Sequence, residues 1–175
     1  MKEEKLRLVL SQERIEERIK VLAREISKDY SGLDLLLVGV LNGVFMFLGE
    51  LAKNLSIPAG VDFIRLASYG AGVDSAGRIE MTKDVESDLA GRHVLIVEDI
   101  ADSGLTINWL REHLVCSGAA SVKVCVLVNK LERRDLAVEL NYVGFEVKEG
   151  FLVGYGLDYN GRYRCLPAIY HLNMS

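Results

Sequence analysis

The stretch that most constrains this chain is His93-Val94-Leu95-Ile96-Val97-Glu98-Asp99-Ile100-Ala101-Asp102-Ser103-Gly104-Leu105-Thr106. Its apolar opening, unbroken from Val94 to Val97, has the pattern of a strand buried on both faces. Two adjacent carboxylates follow, then a third at Asp102, then a short turn of small and polar residues. Beyond the turn, Ile107, Leu110 and Leu114 are spaced to share one face of a helix. A strand running through such a turn into a helix N-terminus aims backbone N–H groups outward, and the helix dipole adds to their attraction for an anion. Acids this close to a bare phosphate would repel it. They suit a ligand that also carries hydroxyls or a divalent cation, because a carboxylate accepts hydrogen bonds from neighbouring hydroxyls well. The local chemistry is that of a ribose 5-phosphate site. Without their context the same residues also fit, as the less favoured reading, a solvated strand end and a helix capped by Asp102 or Ser103.

The 175 residues are enough for one domain with a single core. Half are hydrophobic, and only two are proline, a composition that excludes a disordered chain. The net charge of −4 argues against binding nucleic acid through a general basic surface. Cys116, Cys125 and Cys165 are odd in number and widely spaced, so they imply neither a disulfide framework nor a zinc site. No long apolar run follows the charged N-terminus and none is long enough to span a membrane, so a cytoplasmic protein without membrane association is expected.

Read in order, residues 6–10 form a short apolar run with the character of an edge strand. Ser11 then caps a helix to about residue 29, with Ile15, Ile19, Leu22 and Ile26 as its apolar stripe. Leu33 to Val40 is a buried strand that ends in Leu41-Asn42-Gly43 and leads to an apolar helix over 44–55. This second strand–loop–helix unit is either a tight turn or a ligand loop that backbone can approach closely at Gly43. A strand over 61–68 precedes a glycine-rich loop beginning at Tyr69, of a length typical of lids and binding loops. A short strand over 79–84 follows, and after the helix of roughly 104–116 comes a strand over 122–128 ending in Asn129-Lys130. Leu131 to Arg134 is a charged loop, and 142–145 and 151–155 are short strands. The alternation of strands and helices predicts an α/β fold with a mainly parallel sheet flanked by helices. In such sheets ligands collect at the C-terminal strand ends, where 41–43, 98–106 and 129–130 would lie.

The run from Val97 to Thr106 resembles the phosphoribosyl-pyrophosphate (PRPP) motif of the purine phosphoribosyltransferases. Val38-Gly39-Val40-Leu41-Asn42-Gly43, Ser68-Tyr69-Gly70, Val143-Gly144-Phe145-Glu146 and Val153-Gly154-Tyr155-Gly156-Leu157-Asp158-Tyr159 extend the likeness over most of the chain. The last two narrow it to the 6-oxopurine branch, which takes hypoxanthine and guanine. The resemblance implies a single-domain type I phosphoribosyltransferase fold, with a lid over about 69–80 and a base-binding hood over about 130–175. It implies transfer of the phosphoribosyl group to purine N9, with release of pyrophosphate. By the same likeness Asp102 is the general base, and Glu98 and Asp99 lie by the ribose hydroxyls. Asp102, Ser103, Gly104, Leu105 and Thr106 form the 5-phosphate loop. Leu41, Asn42, Gly43 and Arg164 bind pyrophosphate, while Ser68 and Tyr69 open the lid. Lys130, Phe151, Leu152 and Asp158 bind the purine. Asp158, Glu98 and Asp99 serve Mg2+, which prefers oxygen ligands shared with phosphates. A homodimer or homotetramer is expected, with small-molecule substrates as the other partners.

Three positions depart from the family pattern. Asn42 stands where many members carry Lys, which removes one charge from the pyrophosphate loop. Leu105 replaces a Lys found in some members, and Leu152 varies beside the base. A xanthine- or guanine-preferring enzyme on the same scaffold, and a PRPP-sensing regulator without catalysis, are the competing readings. The second would need a basic face or an added nucleic-acid-binding domain.

Overall fold

The computed structural model describes residues 4–69, 78–132 and 138–174. In chain order these form β1 (Glu4–Leu10), α1 (Gln12–Asp29), β2 (Leu35–Leu41), α2 (Phe45–Asn54), β3 (Ala59–Tyr69) and β4 (Arg78–Lys83). They continue with β5 (His93–Ala101), α3 (Leu105–Cys116), β6 (Ser121–Lys130), β7 (Tyr142–Val147), β8 (Leu152–Val153) and β9 (Ile169–Met174).

The central sheet has the order β4-β3-β2-β5-β6-β7. All its pairings are parallel except that of β4, which turns back antiparallel on β3 at the edge. The unbroken apolar runs of the middle strands follow from burial on both faces. Leu35, Leu37, Leu95, Val97, Cys125 and Leu127 face one apolar cluster with α1 and α2. Their neighbours Leu36, Val38, Val94, Ile96, Val124 and Val126 face a second cluster with Ile107, Leu110 and Leu114 of α3. The period-two alternation of a strand thus splits one hydrophobic sequence between two cores.

From β2 the chain passes through α2 to β3 on one side, and from β5 it passes through α3 to β6 on the other. The order of the sheet therefore reverses between β2 and β5. At such a reversal the loops leaving neighbouring strand ends diverge and open a crevice. Here those loops are 41–44 and 102–104.

Several boundaries differ from the sequence reading. The strand expected over Leu33–Val40 starts at Leu35 and includes Leu41, and β6 runs on through Asn129 and Lys130. Only Leu152 and Val153 of the expected strand 151–155 are extended, because Tyr155 turns the chain at φ 50°. The segments 142–147 and 152–153 also belong to different sheets. Residues 6–10 do edge a sheet, a small separate one of order β1-β9-β8. Its middle strand, β9, was not anticipated. Leu10, Leu152 and Ile169 anchor this sheet in the α1–α2 cluster. The greater part of the expected lid, residues 70–77, lies outside the described residues. At its base Ser68 and Tyr69 of β3 pair in register with Ile79 and Arg78 of β4.

Candidate active site

Ser11 caps α1 as expected, its hydroxyl accepting from the Arg14 N–H at 3.4 Å, but α3 begins differently. Its cap is Gly104 at φ 85°, with no side-chain cap. Asp102 does not cap the helix, and the Ser103 hydroxyl reaches only the Leu105 N–H at 3.4 Å. The first turn of a helix carries N–H groups without intrahelical acceptors, so this end is free to receive an anion.

Two cavities open at the strand ends. The first, of about 210 Å3, is walled by Glu98, Asp99, Asp102, Ser103, Gly104 and Thr106 over an apolar floor that includes Val40 and Ile107. The second, of about 260 Å3, is walled by Lys130, Gly150, Phe151, Leu152, Leu157 and Asp158. Asp99, Ile100 and Asp102 border both. At this junction the Asp102 Oδ1 is buried and has no hydrogen-bond partner among the described residues. A buried acceptor left unpaired costs about 1–3 kcal/mol. Such an atom marks a place where a donor is meant to arrive.

Glu98 and Asp99 are both 8% exposed at the end of β5. Burial pushes both carboxyls upward, Glu98 well above the ordinary range, and the charge of Asp99 raises Glu98 further. Asp99 is restrained by its hydrogen bond with Glu98, by the Ile100 N–H at 2.8 Å and by the Arg164 guanidinium. Two carboxylates 4 Å apart repel by about 4 kcal/mol at an effective dielectric constant near 20. Such a pair resists carrying two full charges and is suited to hydroxyl donors or a cation.

The loop after β2 meets β5 at this point. A β-carbon on Gly43 would collide with the Asp99 carboxylate, so only glycine lets the two chains pass. The peptide between Leu41 and Asn42 is cis. Leu41, Asn42 and Arg164 wall neither cavity. Gly156 packs on the Gly43 carbonyl, and the Arg164 guanidinium donates to the Gly156 carbonyl at 2.6 Å. The same guanidinium pairs with Asp158 Oδ1 at 2.7 Å, while Asp158 Oδ2 accepts the Gly161 N–H at 2.8 Å. Both Asp158 oxygens are thus engaged. Leu105 is 47% exposed and walls neither cavity.

On the other side of the junction Lys130 is only 9% exposed, with its ammonium 3.1 Å from Glu132 Oε2. The Phe151 ring is half-exposed over the cavity and meets the edge of Tyr159 at 5.5 Å between centroids. Sequence reasoning missed Gly150 and Leu157 as members of this wall, and Glu132 as the carboxylate behind it that pairs with Lys130. Glu132 was read as part of a charged loop, and its proximity to Lys130 at two residues' distance was the available signal.

A helix end without a side-chain cap, acids beside it and a second, aromatic-walled cavity sharing its border are features that fit a phosphoribosyltransferase. Consistent with this, residues 9–160 match the family described as phosphoribosyl transferase domain. The chain is 42% identical over 168 residues to the hypoxanthine-guanine phosphoribosyltransferase of Mycobacterium avium, covering 93% of this chain and 83% of that protein. It is 41% identical to the enzyme of the same name from Aquifex aeolicus, covering 95% of this chain and 94% of that one. The crystal structure of a hypoxanthine phosphoribosyltransferase from Staphylococcus aureus superposes with a TM-score of 0.91 at 36% identity, over 95% of this chain and 91% of that chain. The chain belongs to the hypoxanthine-guanine phosphoribosyltransferase family.

Proposed function

We propose that the chain transfers the 5-phosphoribosyl group of PRPP to N9 of hypoxanthine or guanine, giving IMP or GMP and pyrophosphate. The observation that carries this reading is the junction itself: two cavities of different chemistry share Asp102, whose Oδ1 is buried and unpartnered. In this reading the amides of 103–106 and the hydroxyls of Ser103 and Thr106 take the 5-phosphate. Glu98 and Asp99 accept the ribose hydroxyls and stabilise the oxocarbenium-like sugar. The purine N9 attacks C1, the bond from C1 to the pyrophosphate oxygen breaks, and Asp102 takes the proton at N7. Leu41, Asn42 and Gly43 offer backbone to the departing pyrophosphate, with Arg164 as the nearby cation.

Lys130 donates to the purine 6-oxo oxygen. Adenine, whose 6-amino group is itself a donor, is thereby disfavoured. Phe151 stacks on the base, and backbone at Leu152 reads its edge.

Glu98, Asp99 and Asp158 carry oxygen ligands of the kind Mg2+ takes, and they would serve it together with substrate phosphates and not as a closed set of their own. When bound with the substrate, Mg2+ would neutralise charge on the pyrophosphate. We further propose a cytoplasmic homodimer or homotetramer. Product formation from PRPP with hypoxanthine, guanine, xanthine and adenine tests the assignment. IMP and GMP are expected, with little or no AMP; preferential XMP formation would move the enzyme to the xanthine-preferring class.

A further inference from the structure

Lys130 is a buried ammonium at the end of a strand, and a lysine side chain has four rotatable bonds and no preferred direction of donation. Something must aim it. The Glu132 carboxylate, two residues on, places Oε2 3.1 Å from the Lys130 ammonium. The same oxygen accepts the Gly150 N–H at 3.3 Å. Between them the Leu131 N–H donates to the Val147 carbonyl at 3.1 Å, which holds the chain beside β7 as it leaves β6. Gly150 adopts φ 102°, and a β-carbon there would strike the ring of His171 on β9. Gly150, Phe151 and Leu152 make the wall of the cavity shared with Lys130. One carboxylate oxygen thus joins two groups of the base cavity, one at the end of β6 and one in the turn before β8.

We propose that Glu132 is a positioning residue of the base-binding cavity. It aims the Lys130 ammonium and ties to it the 150–152 wall, so that donor and stacking surface keep a fixed separation. The proposal rests on Lys130 contacting the purine. With one N–H held by Glu132, the ammonium keeps two donors for an incoming acceptor. The Glu132 side chain is 44% exposed, and a pair of that exposure adds little to folding stability. Its effect belongs in base recognition.

The test is steady-state kinetics with hypoxanthine and PRPP on the wild type, Lys130→Ala, Glu132→Ala, Glu132→Gln and the double variant Lys130→Ala/Glu132→Ala, with a melting curve for each. Glu132→Ala is expected to raise KM for hypoxanthine about tenfold, with KM for PRPP and kcat within about twofold. The melting temperature should stay within about 2 °C. Glu132→Gln keeps an acceptor oxygen and should recover part of the loss. The double variant should be no worse than Lys130→Ala, because Glu132 acts through Lys130. Summed losses in the double variant, an equal rise in KM for PRPP, or an unchanged KM for hypoxanthine in Glu132→Ala while Lys130→Ala is impaired would each overturn the role of Glu132 alone. An unchanged KM for hypoxanthine in Lys130→Ala would overturn the assignment of Lys130, and this proposal with it.

Discussion

Asp102 and Gly43 show how single residues define the site. An acceptor that is buried, unpartnered and common to both cavities has its strongest interaction when a proton is handed to it. Asp102→Asn preserves shape but removes the basic oxygen. Turnover should fall by about 10²–10⁴, the usual contribution of a general base. The KM for PRPP should change by no more than a few-fold, and rapid-quench measurement of nucleotide formation checks both. An equal loss in PRPP binding and turnover would remove Asp102 from the base role. At Gly43 the constraint is space. The added methyl of Gly43→Ala must displace either the Asp99 carboxylate or the loop. A stability cost of about 1–3 kcal/mol is expected, with a fall in kcat/KM out of proportion to it; urea unfolding and initial rates together separate the two.

At the scale of elements, the antiparallel edge of the central sheet is fastened by Asp62 on β3. Its carboxylate is 8% exposed and accepts the N–H groups of Phe63, Glu86 and Ser87 and the Ser87 hydroxyl, at 2.7–3.0 Å. Burial by itself would raise this carboxyl, but those four hydrogen bonds outweigh it and hold the group at about 2, against 3.8 for an ordinary aspartate. A depressed native value means that the folded state binds the proton less readily than the unfolded chain. The contribution is therefore complete above about pH 4 and is lost as pH falls towards 2. Its size is about 2 kcal/mol. Asp62→Ala should flatten that limb of the stability curve, as read by urea denaturation between pH 2 and 5. The hydrogen bonds also fix the turn at 86–87, through which the chain passes from β4 to β5 and so to the acids of the site.

At the scale of the whole molecule, the proposed Mg2+ would arrive with the substrate. Among the described residues no cluster of three His, Cys, Asp or Glu side chains could hold a metal by itself. Chelation should therefore leave the melting temperature of the unliganded protein unchanged, while lowering the transfer rate at least about 100-fold. Added Mg2+ should restore the rate. A melting temperature that dropped on chelation would point to a resident ion instead. Among the described residues no helix is long and apolar enough to cross a membrane.

What the chain's own order of residues determined was everything that repeats locally. Runs such as Leu35–Val38 and Val94–Val97 announced strands buried on both sides, and Ile15, Ile19, Leu22 and Ile26 announced a helix with one apolar face. The acids and the small turn at 98–106 announced a polar strand end running into a helix start, where the proposal places the ribose phosphate. Strand β9 was not legible, because Ile169, Tyr170 and Leu172 alternate too briefly to stand out and become a strand only through pairing with β1 and β8. The same holds for Glu132 and Gly150, separated by 18 positions in the chain and joined by one hydrogen bond. Tertiary structure alone decided that two loops should diverge between β2 and β5, that Gly43 should pass against Asp99, and that Asp102 should border both cavities. The physical reason is that hydrophobic periodicity and turn chemistry act over a few residues. The meeting of distant strand ends depends on which faces the helices cover, and so on the packing of the entire sheet.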